Sequence, residues 1–141
     1  MSMKYTVPIK KDTVCASSRL SVSTKTATKI CRFLKGKKLG ETKKVLNDLI
    51  NEKISLNGKY YTKTCKEILK VLESVESNAR VKGLNLESMK VLISAHRGPT
   101  LHRGRRRWRK FGTRLKMSQI QVVLSEENGS RKEIRERRNK K

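Results

Sequence analysis

The chain has 141 residues, with 36 Lys or Arg against 12 Asp or Glu, so its formal net charge is +24. This length allows one domain with one core, and the charge predicts anionic partners such as nucleic acid. No apolar run reaches the length of a membrane span and no apolar segment stands at the start. We therefore expect neither a membrane protein nor a secreted one.

Cys15, Cys31 and Cys65 are widely spaced and form no C-x-x-C pair. This spacing predicts reduced thiols, and it gives little support to a zinc site shared with His96 and His102. Cys31 and Cys65 fall on apolar helical stripes, where a cysteine acts as a small hydrophobic residue.

The first part of the chain predicts an arm, a strand and a helix. Met1 to Asp12 mixes Lys with short apolar residues, which predicts an extended arm, and Cys15 to Val22 predicts a short strand. Ser23 is a good N-cap, because its hydroxyl can accept a free backbone N–H of the first helical turn. The apolar stripe of Ala27, Ile30, Cys31 and Leu34 then predicts helix one, which extends to about Lys35. Gly36 can end this helix.

Two further helices follow. Helix two is predicted from about Gly40 to Lys53, and Asn57-Gly58 marks the turn after it. Helix three ends at Lys82-Gly83. Its apolar stripe predicts a core face made of Cys65, Ile68, Leu69, Leu72, Val75 and Ala79.

After Gly83 the apolar period changes from helical to alternating, which predicts two strands of one hairpin. On each strand the alternating apolar residues share one side. They are Met89, Val91, Ile93 and Ala95 on the first strand and Ile120, Val122 and Leu124 on the second. Between the strands, Arg97 to Lys116 forms a finger that holds few apolar residues. Because a two-stranded ribbon without a core is marginal in water, we expect this finger to be ordered by a partner.

The finger is also free of acidic residues. No Asp or Glu occurs from Ser88 to Ser125, and six cations stand among the nine residues from Arg103 to Phe111. Arg forks match phosphate oxygens in pairs, and aromatic side chains stack on bases. A solvated basic loop or a nuclear-localisation run is the open alternative. The predicted RNA-binding residues are Arg97, His102, Arg103, Arg105, Arg106, Arg107, Trp108, Arg109, Lys110, Arg114 and Lys116.

No catalytic constellation is present, so we predict neither an enzyme nor a cofactor. The carboxylates of helix three are spaced for ion pairs along the helix rather than for catalysis. We expect Glu67, Glu73 and Glu76 to pair with neighbouring lysines such as Lys63, Lys66 and Lys70.

Three stretches together resemble a known family. They are Glu76 to Asn85, Gly98 to Arg103, and Ser118 to Glu126, with the Arg-rich tip between the last two. In this order they resemble the universal large-subunit ribosomal protein family numbered twenty-two in bacteria and seventeen in eukaryotes. The similarity covers about Lys4 to Glu127, and the start, Lys4-Tyr5-Thr6-Val7, looks like the eukaryotic and archaeal branch.

The resemblance implies an α+β fold. Three helices would pack on a small three-stranded antiparallel sheet, with a long protruding β-hairpin and extended termini. Residues 1–127 would form a single domain, with the finger at about 97–116. Residues 128–141 have no match in the family, and their composition predicts a charged C-terminal tail.

The resemblance also implies a function, that of a structural constituent of the large ribosomal subunit which binds rRNA. Its partners would be rRNA, neighbouring ribosomal proteins and the nascent peptide, on the cytosolic ribosome, without a membrane or a homo-oligomer. The basic hairpin would help to line the nascent-peptide exit tunnel, with a tip formed by Arg105, Arg106, Arg107, Trp108, Arg109 and Lys110.

Two features depart from the family. The tip lacks the usual Gly-Arg-Ala-like step and is short, and the loop from Ile54 to Tyr61 is shorter than in typical eukaryotic members. The alternative function is a free-standing RNA- or DNA-binding factor, such as an RNA chaperone or a chromatin protein. Such a factor shares the charge but does not require a long hairpin that a partner orders.

Overall fold

A computed structural model provides the structure of the protein and describes residues 13–104, 109 and 111–126. The predicted N-terminal arm, most of the finger tip and the C-terminal tail lie outside the described residues. The elements are β1 (Thr13–Leu20), α1 (Thr24–Leu34), α2 (Leu39–Ile50), α3 (Thr62–Val81), β2 (Met89–Arg97), β3 (Leu101–His102), β4 (Arg114–Leu115) and β5 (Ser118–Glu126). The fold is α+β, with three helices and a three-stranded antiparallel sheet, as the resemblance implied.

The main sheet has the strand order β1-β5-β2, so β5 is its central strand. In the register, Val122 of β5 lies opposite Ala16 of β1 and Ile93 of β2. Because side chains alternate along a strand, these three residues share one face of the sheet, which is the face that the helices cover. The alternating pattern thus predicted the inward face of both long strands correctly.

The core lies between this face and the helices. α1 packs against β2, α3 packs against β1 and β5, and α2 packs mainly on α3. On α3, Val71 is 5% exposed, although the predicted stripe omitted it. Leu69, which the stripe included, packs against the core but is only partly buried. The largest fully buried apolar side chains are Ile30, Leu34, Leu46, Leu49, Ile68, Leu72, Met89, Ile120 and Leu124.

The helix ends differ from the sequence prediction in two places. Ser23 occupies the N-cap position of α1, but its hydroxyl makes no capping hydrogen bond. Instead, Thr26 Oγ1 donates to the Ser23 carbonyl oxygen at 2.8 Å. α2 ends at Ile50 rather than at Lys53, because Glu52 adopts a φ of 60° and the Lys53 N–H donates to the Asp48 carbonyl at 2.9 Å.

Contacts at both ends fix α1 against the hairpin. After the helix, the Gly36 N–H donates to the Val91 carbonyl at 2.8 Å, and the Val91 N–H donates to the Lys37 carbonyl at 2.9 Å. At the start of the helix, Thr24 Oγ1 lies 3.4 Å from the Met117 carbonyl oxygen. α1 therefore runs from the base of the hairpin back along β2, in the opposite direction to that strand.

Candidate nucleic-acid interface

The hairpin changes register where it leaves the main sheet. The long ladder ends with Arg97 opposite Ser118, and the outer ladder begins with Leu101 opposite Leu115. Residues 98–100 of the outgoing arm thus face the shorter stretch 116–117 of the return arm. Such an extra residue is a β-bulge, which bends a ribbon and increases its twist. The bulge therefore influences the direction in which the finger leaves the globular base.

Beyond the bulge the two arms remain paired. His102 lies opposite Arg114, the Arg103 N–H donates to the Thr113 carbonyl at 3.0 Å, and the Gly112 N–H donates to the Arg103 carbonyl at 3.0 Å. Gly112 adopts a φ of 69°, which a glycine reaches without strain. The described part of the finger is thus an antiparallel ribbon, as the sequence predicted.

The predicted RNA-binding residues that the structure describes are all exposed. They are Arg97, His102, Arg103, Arg109, Arg114 and Lys116. The finger also exposes apolar side chains, because Leu101 is 44% and Phe111 is 57% accessible to solvent. The other predicted residues, Arg105, Arg106, Arg107, Trp108 and Lys110, lie outside the described residues. The ribbon therefore presents cations and apolar groups outward, which suits a partner that supplies both phosphates and bases.

Sequence reasoning missed a second set of cations, on α1. The segment from Thr13 to Gly40 holds seven Lys or Arg and no Asp or Glu. Lys25, Lys29 and Arg32 are exposed on the face of α1 opposite its buried residues. Two sequence signals together could have identified these cations. The segment is acid-free, as the finger is, and the three cations have the i, i+4, i+7 spacing of one helical face.

An open groove joins α1 to the base of the finger. Its volume is about 520 Å³, and its lining carries four cations and no carboxylate. Hydroxyl groups from the start of α1 also reach it. The groove is lined by Ser23, Thr24, Lys25, Arg97, Pro99, Arg114, Leu115, Lys116 and Met117. Cations from segments far apart in the chain thus meet in one concave surface.

The acidic residues of the globular base belong mainly to α2 and α3. Glu76 pairs with Lys43 of α2, and it accepts from Arg80 Nη2 at 2.9 Å. The predicted pairing of Glu76 with lysines of its own helix was wrong, because α2 packs against α3 and brings Lys43 closer. Lys70 and Glu67 form the predicted ion pair at 3.0 Å. The hydrogen bond from Lys43 holds the pKa of Glu76 below its usual value, and the charges of Lys43 and Arg80 add to this effect.

Two of the three cysteines, Cys31 and Cys65, are buried in the core. Burial raises the pKa of the Cys31 thiol to about 12 and that of Cys65 to about 11, so both are protonated at neutral pH and act as small hydrophobic residues. Within the described ranges, no group of three or more His, Cys, Asp or Glu side chains is placed to hold a metal ion. None of the helices among the described residues is long and apolar enough to cross a membrane.

Comparison with known families decides the assignment. The family described as "Ribosomal protein L22p/L17e" matches residues 15–125, which include all three helices and nearly all of the sheet. The chain belongs to this family. It is therefore a ribosomal protein and not an enzyme.

The curated relatives of the chain include archaeal proteins named "Large ribosomal subunit protein uL22". The protein of Sulfurisphaera tokodaii is 34% identical over 124 residues, covering 69% of this chain and 78% of the relative. That of Methanocaldococcus jannaschii is 33% identical over 150 residues, covering 88% of this chain and 95% of the relative. That of Sulfolobus acidocaldarius is 27% identical over 147 residues, covering 85% of this chain and 93% of the relative. These matches confirm the family and agree with the branch that the first residues of the chain indicated.

Proposed function

We propose that this ribosomal protein is a structural constituent of the large subunit that binds rRNA through its hairpin, with the finger tip helping to line the nascent-peptide exit tunnel. The observation that carries this proposal is the acid-free stretch from Arg97 to Lys116, whose described cations are all exposed, in a chain whose family is ribosomal. Its partners are rRNA, neighbouring ribosomal proteins and, at the tip, the nascent peptide, on the cytosolic ribosome.

The mechanism follows from the charge. Each phosphate that a Lys or Arg neutralises releases condensed counterions, so affinity falls steeply as salt rises. Helical RNA is recognised mainly by its shape and backbone, and exposed bases are recognised by stacking and hydrogen bonding. The exposed arginines of the finger supply the first kind of contact, and Phe111 is placed for the second. The globular base then anchors the hairpin at the surface of the RNA.

We assign residues 1–127 to one domain, with the finger at about 97–116, and residues 128–141 to a charged tail. The RNA-gripping arms are His96 to Arg103 and Phe111 to Ser118, and the tunnel-lining tip is Arg105 to Lys110. The bulge opposite Met117 lies within these arms and marks where the finger leaves the main sheet, which supports placing the bounds of the finger near residues 97 and 116.

Sedimentation of a cell lysate through a sucrose gradient, at moderate and at high salt, tests the ribosomal assignment. We expect the protein to migrate with the large subunit and with whole ribosomes, and to survive the salt wash. Presence only in light fractions, or release at modest salt, would instead support the free-standing nucleic-acid factor.

The tunnel assignment needs its own test. A photo-crosslinking amino acid at Arg106, in ribosomes that hold an arrested nascent chain, should form a crosslink to that chain. The matched control carries the same amino acid at Arg97, in the hairpin base, where only RNA crosslinks are expected. A nascent-chain crosslink that is equally strong from both positions, or absent from Arg106, would contradict a tip that lines the tunnel.

A further inference from the structure

We propose that α1 and the base of the hairpin form a second surface for the RNA backbone, separate from the finger tip. This helix-one surface consists of Lys25, Lys29, Arg32, Arg97, Arg114 and Lys116. The inference rests on the proposed rRNA binding and adds to it a site on the globular base.

The α1 part of the surface is a regular stripe. Lys25, Lys29 and Arg32 follow i, i+4, i+7 spacing, while Ala27, Ile30, Cys31 and Leu34 occupy the buried side of the helix. At the usual helical rise the stripe is about 10 Å long. α1 has no acidic residue, so none of its own side chains neutralises these charges.

The groove makes the stripe continuous with the hairpin. Lys25 is the first residue of the stripe and also lines the groove, together with Arg97, Arg114 and Lys116. The contacts of Thr24 with Met117 and of Gly36 with Val91 fix both ends of α1 against the hairpin strands. The cations are therefore held by packed elements, which lowers the entropy lost when they bind a ligand.

α3 shows what a solvated cationic face looks like in the same molecule. Its exposed Lys63, Lys66 and Lys70 alternate with acidic residues, and Lys70 pairs with Glu67 at 3.0 Å. Mixed charges of this kind suit a face in contact with water. The helix-one surface lacks such a mixture, and its like charges are stabilised by a polyanion rather than by water.

The chemistry of the groove favours an RNA backbone. Arg97 and Arg114 carry planar guanidinium groups of the kind that binds phosphate oxygens in pairs, and Ser23 and Thr24 line the same space. Arg114 Nη2 also donates to Thr100 Oγ1 at 3.0 Å, which leaves its other N–H groups for a phosphate. Contacts of Arg, Lys and hydroxyl side chains with phosphates position a protein without reading sequence. The surface therefore orients the globular base on the RNA while the finger extends from it.

The test compares two full-length variants that each lose three positive charges. One replaces Lys25, Lys29 and Arg32 by Ala, and the control replaces Lys63, Lys66 and Lys70 by Ala. Binding to large-subunit rRNA of the same organism, transcribed in vitro, is measured across a salt series, and circular dichroism confirms that both variants fold. The slope of log K against log salt is negative, and each lost phosphate contact reduces its magnitude by roughly 0.7–0.9. We expect the helix-one variant to reduce the magnitude of the slope by about 2, and the control to leave it nearly unchanged.

The outcomes separate the two proposals. Wild-type protein without salt-dependent rRNA binding would overturn the proposed function itself. If the wild type binds with salt dependence but both variants reduce the magnitude of the salt slope equally, or neither reduces it, only the helix-one surface would be overturned. Unchanged rRNA binding by the helix-one variant, together with its exclusion from assembled subunits, would assign that surface to a neighbouring protein and overturn the RNA proposal.

Discussion

The backbone of Gly98 lies directly against that of Met117. The Gly98 N–H donates to the Met117 carbonyl oxygen at 3.0 Å, and a Cβ at position 98 would lie 2.9 Å from the Met117 carbonyl carbon. This contact stands at the bulge where the hairpin leaves the main sheet, so only a residue without a side chain lets the two arms approach there.

Gly98→Ala should separate the arms at this point, because the atoms that a Cβ would meet belong to the rigid backbone of Met117 rather than to a flexible side chain. We expect a loss of about 1–3 kcal/mol in the free energy of unfolding, measured in urea, and weaker incorporation into the large subunit. Gly104→Ala is the control, since a Cβ there meets nothing within 4 Å. Equal stability of the two variants would show that the close approach is not required.

Leu72→Ala should leave a cavity in the core between α3 and the sheet. Leu72 is 0% exposed, so we expect a loss of about 2–5 kcal/mol in the free energy of unfolding. Leu69→Ala, on the same helix but only partly buried, should cost less. Urea denaturation of both variants checks this order, and an equal or larger loss for Leu69→Ala would contradict the observed orientation of α3.

Glu76→Gln should destabilise the protein near neutral pH and have little effect in acid. The folded-state pKa of Glu76 lies below its ordinary value of 4.5, so the stabilisation by its carboxylate is complete above about pH 4.5. That stabilisation disappears as the pH falls through the lower folded-state pKa. We expect a difference between wild type and variant on the order of 1 kcal/mol at neutral pH.

Unfolding in urea at neutral pH and at a pH well below 4.5 measures this difference. Glu67→Gln serves as the control, because its partner Lys70 is 69% exposed and a surface pair contributes little. A Glu76→Gln effect that stays constant with pH would rule out ionisation of this carboxyl as its cause.

Replacing Arg105, Arg106 and Arg107 together by Ala should leave the globular base folded, because we expect these residues to bury nothing in it. The melting temperature of the free protein should stay the same, while assembly into the large subunit or the architecture of the tunnel is impaired. Calorimetry of the free variant and gradient analysis of assembled subunits provide the two measurements. A lower melting temperature would mean that the finger packs on the base.

The sequence by itself determined the secondary-structure elements and showed that the partner must be negatively charged. The i, i+3, i+4, i+7 stripe of α1 and the alternation in β2 and β5 arise from backbone geometry within single segments, so they can be read locally. The acid-free stretch around the finger needs no coordinates either.

Only the tertiary structure decided which segments meet. Packing placed Thr24 of α1 beside Met117 of the hairpin, and it paired Glu76 with Lys43 rather than with a lysine of its own helix. It also turned Val71 of α3 inward and left Leu69 partly buried. Such contacts depend on the relative positions of elements far apart in the chain, which periodicity within one element does not encode. For that reason, only the tertiary structure showed that the cations of α1 lie beside the base of the hairpin.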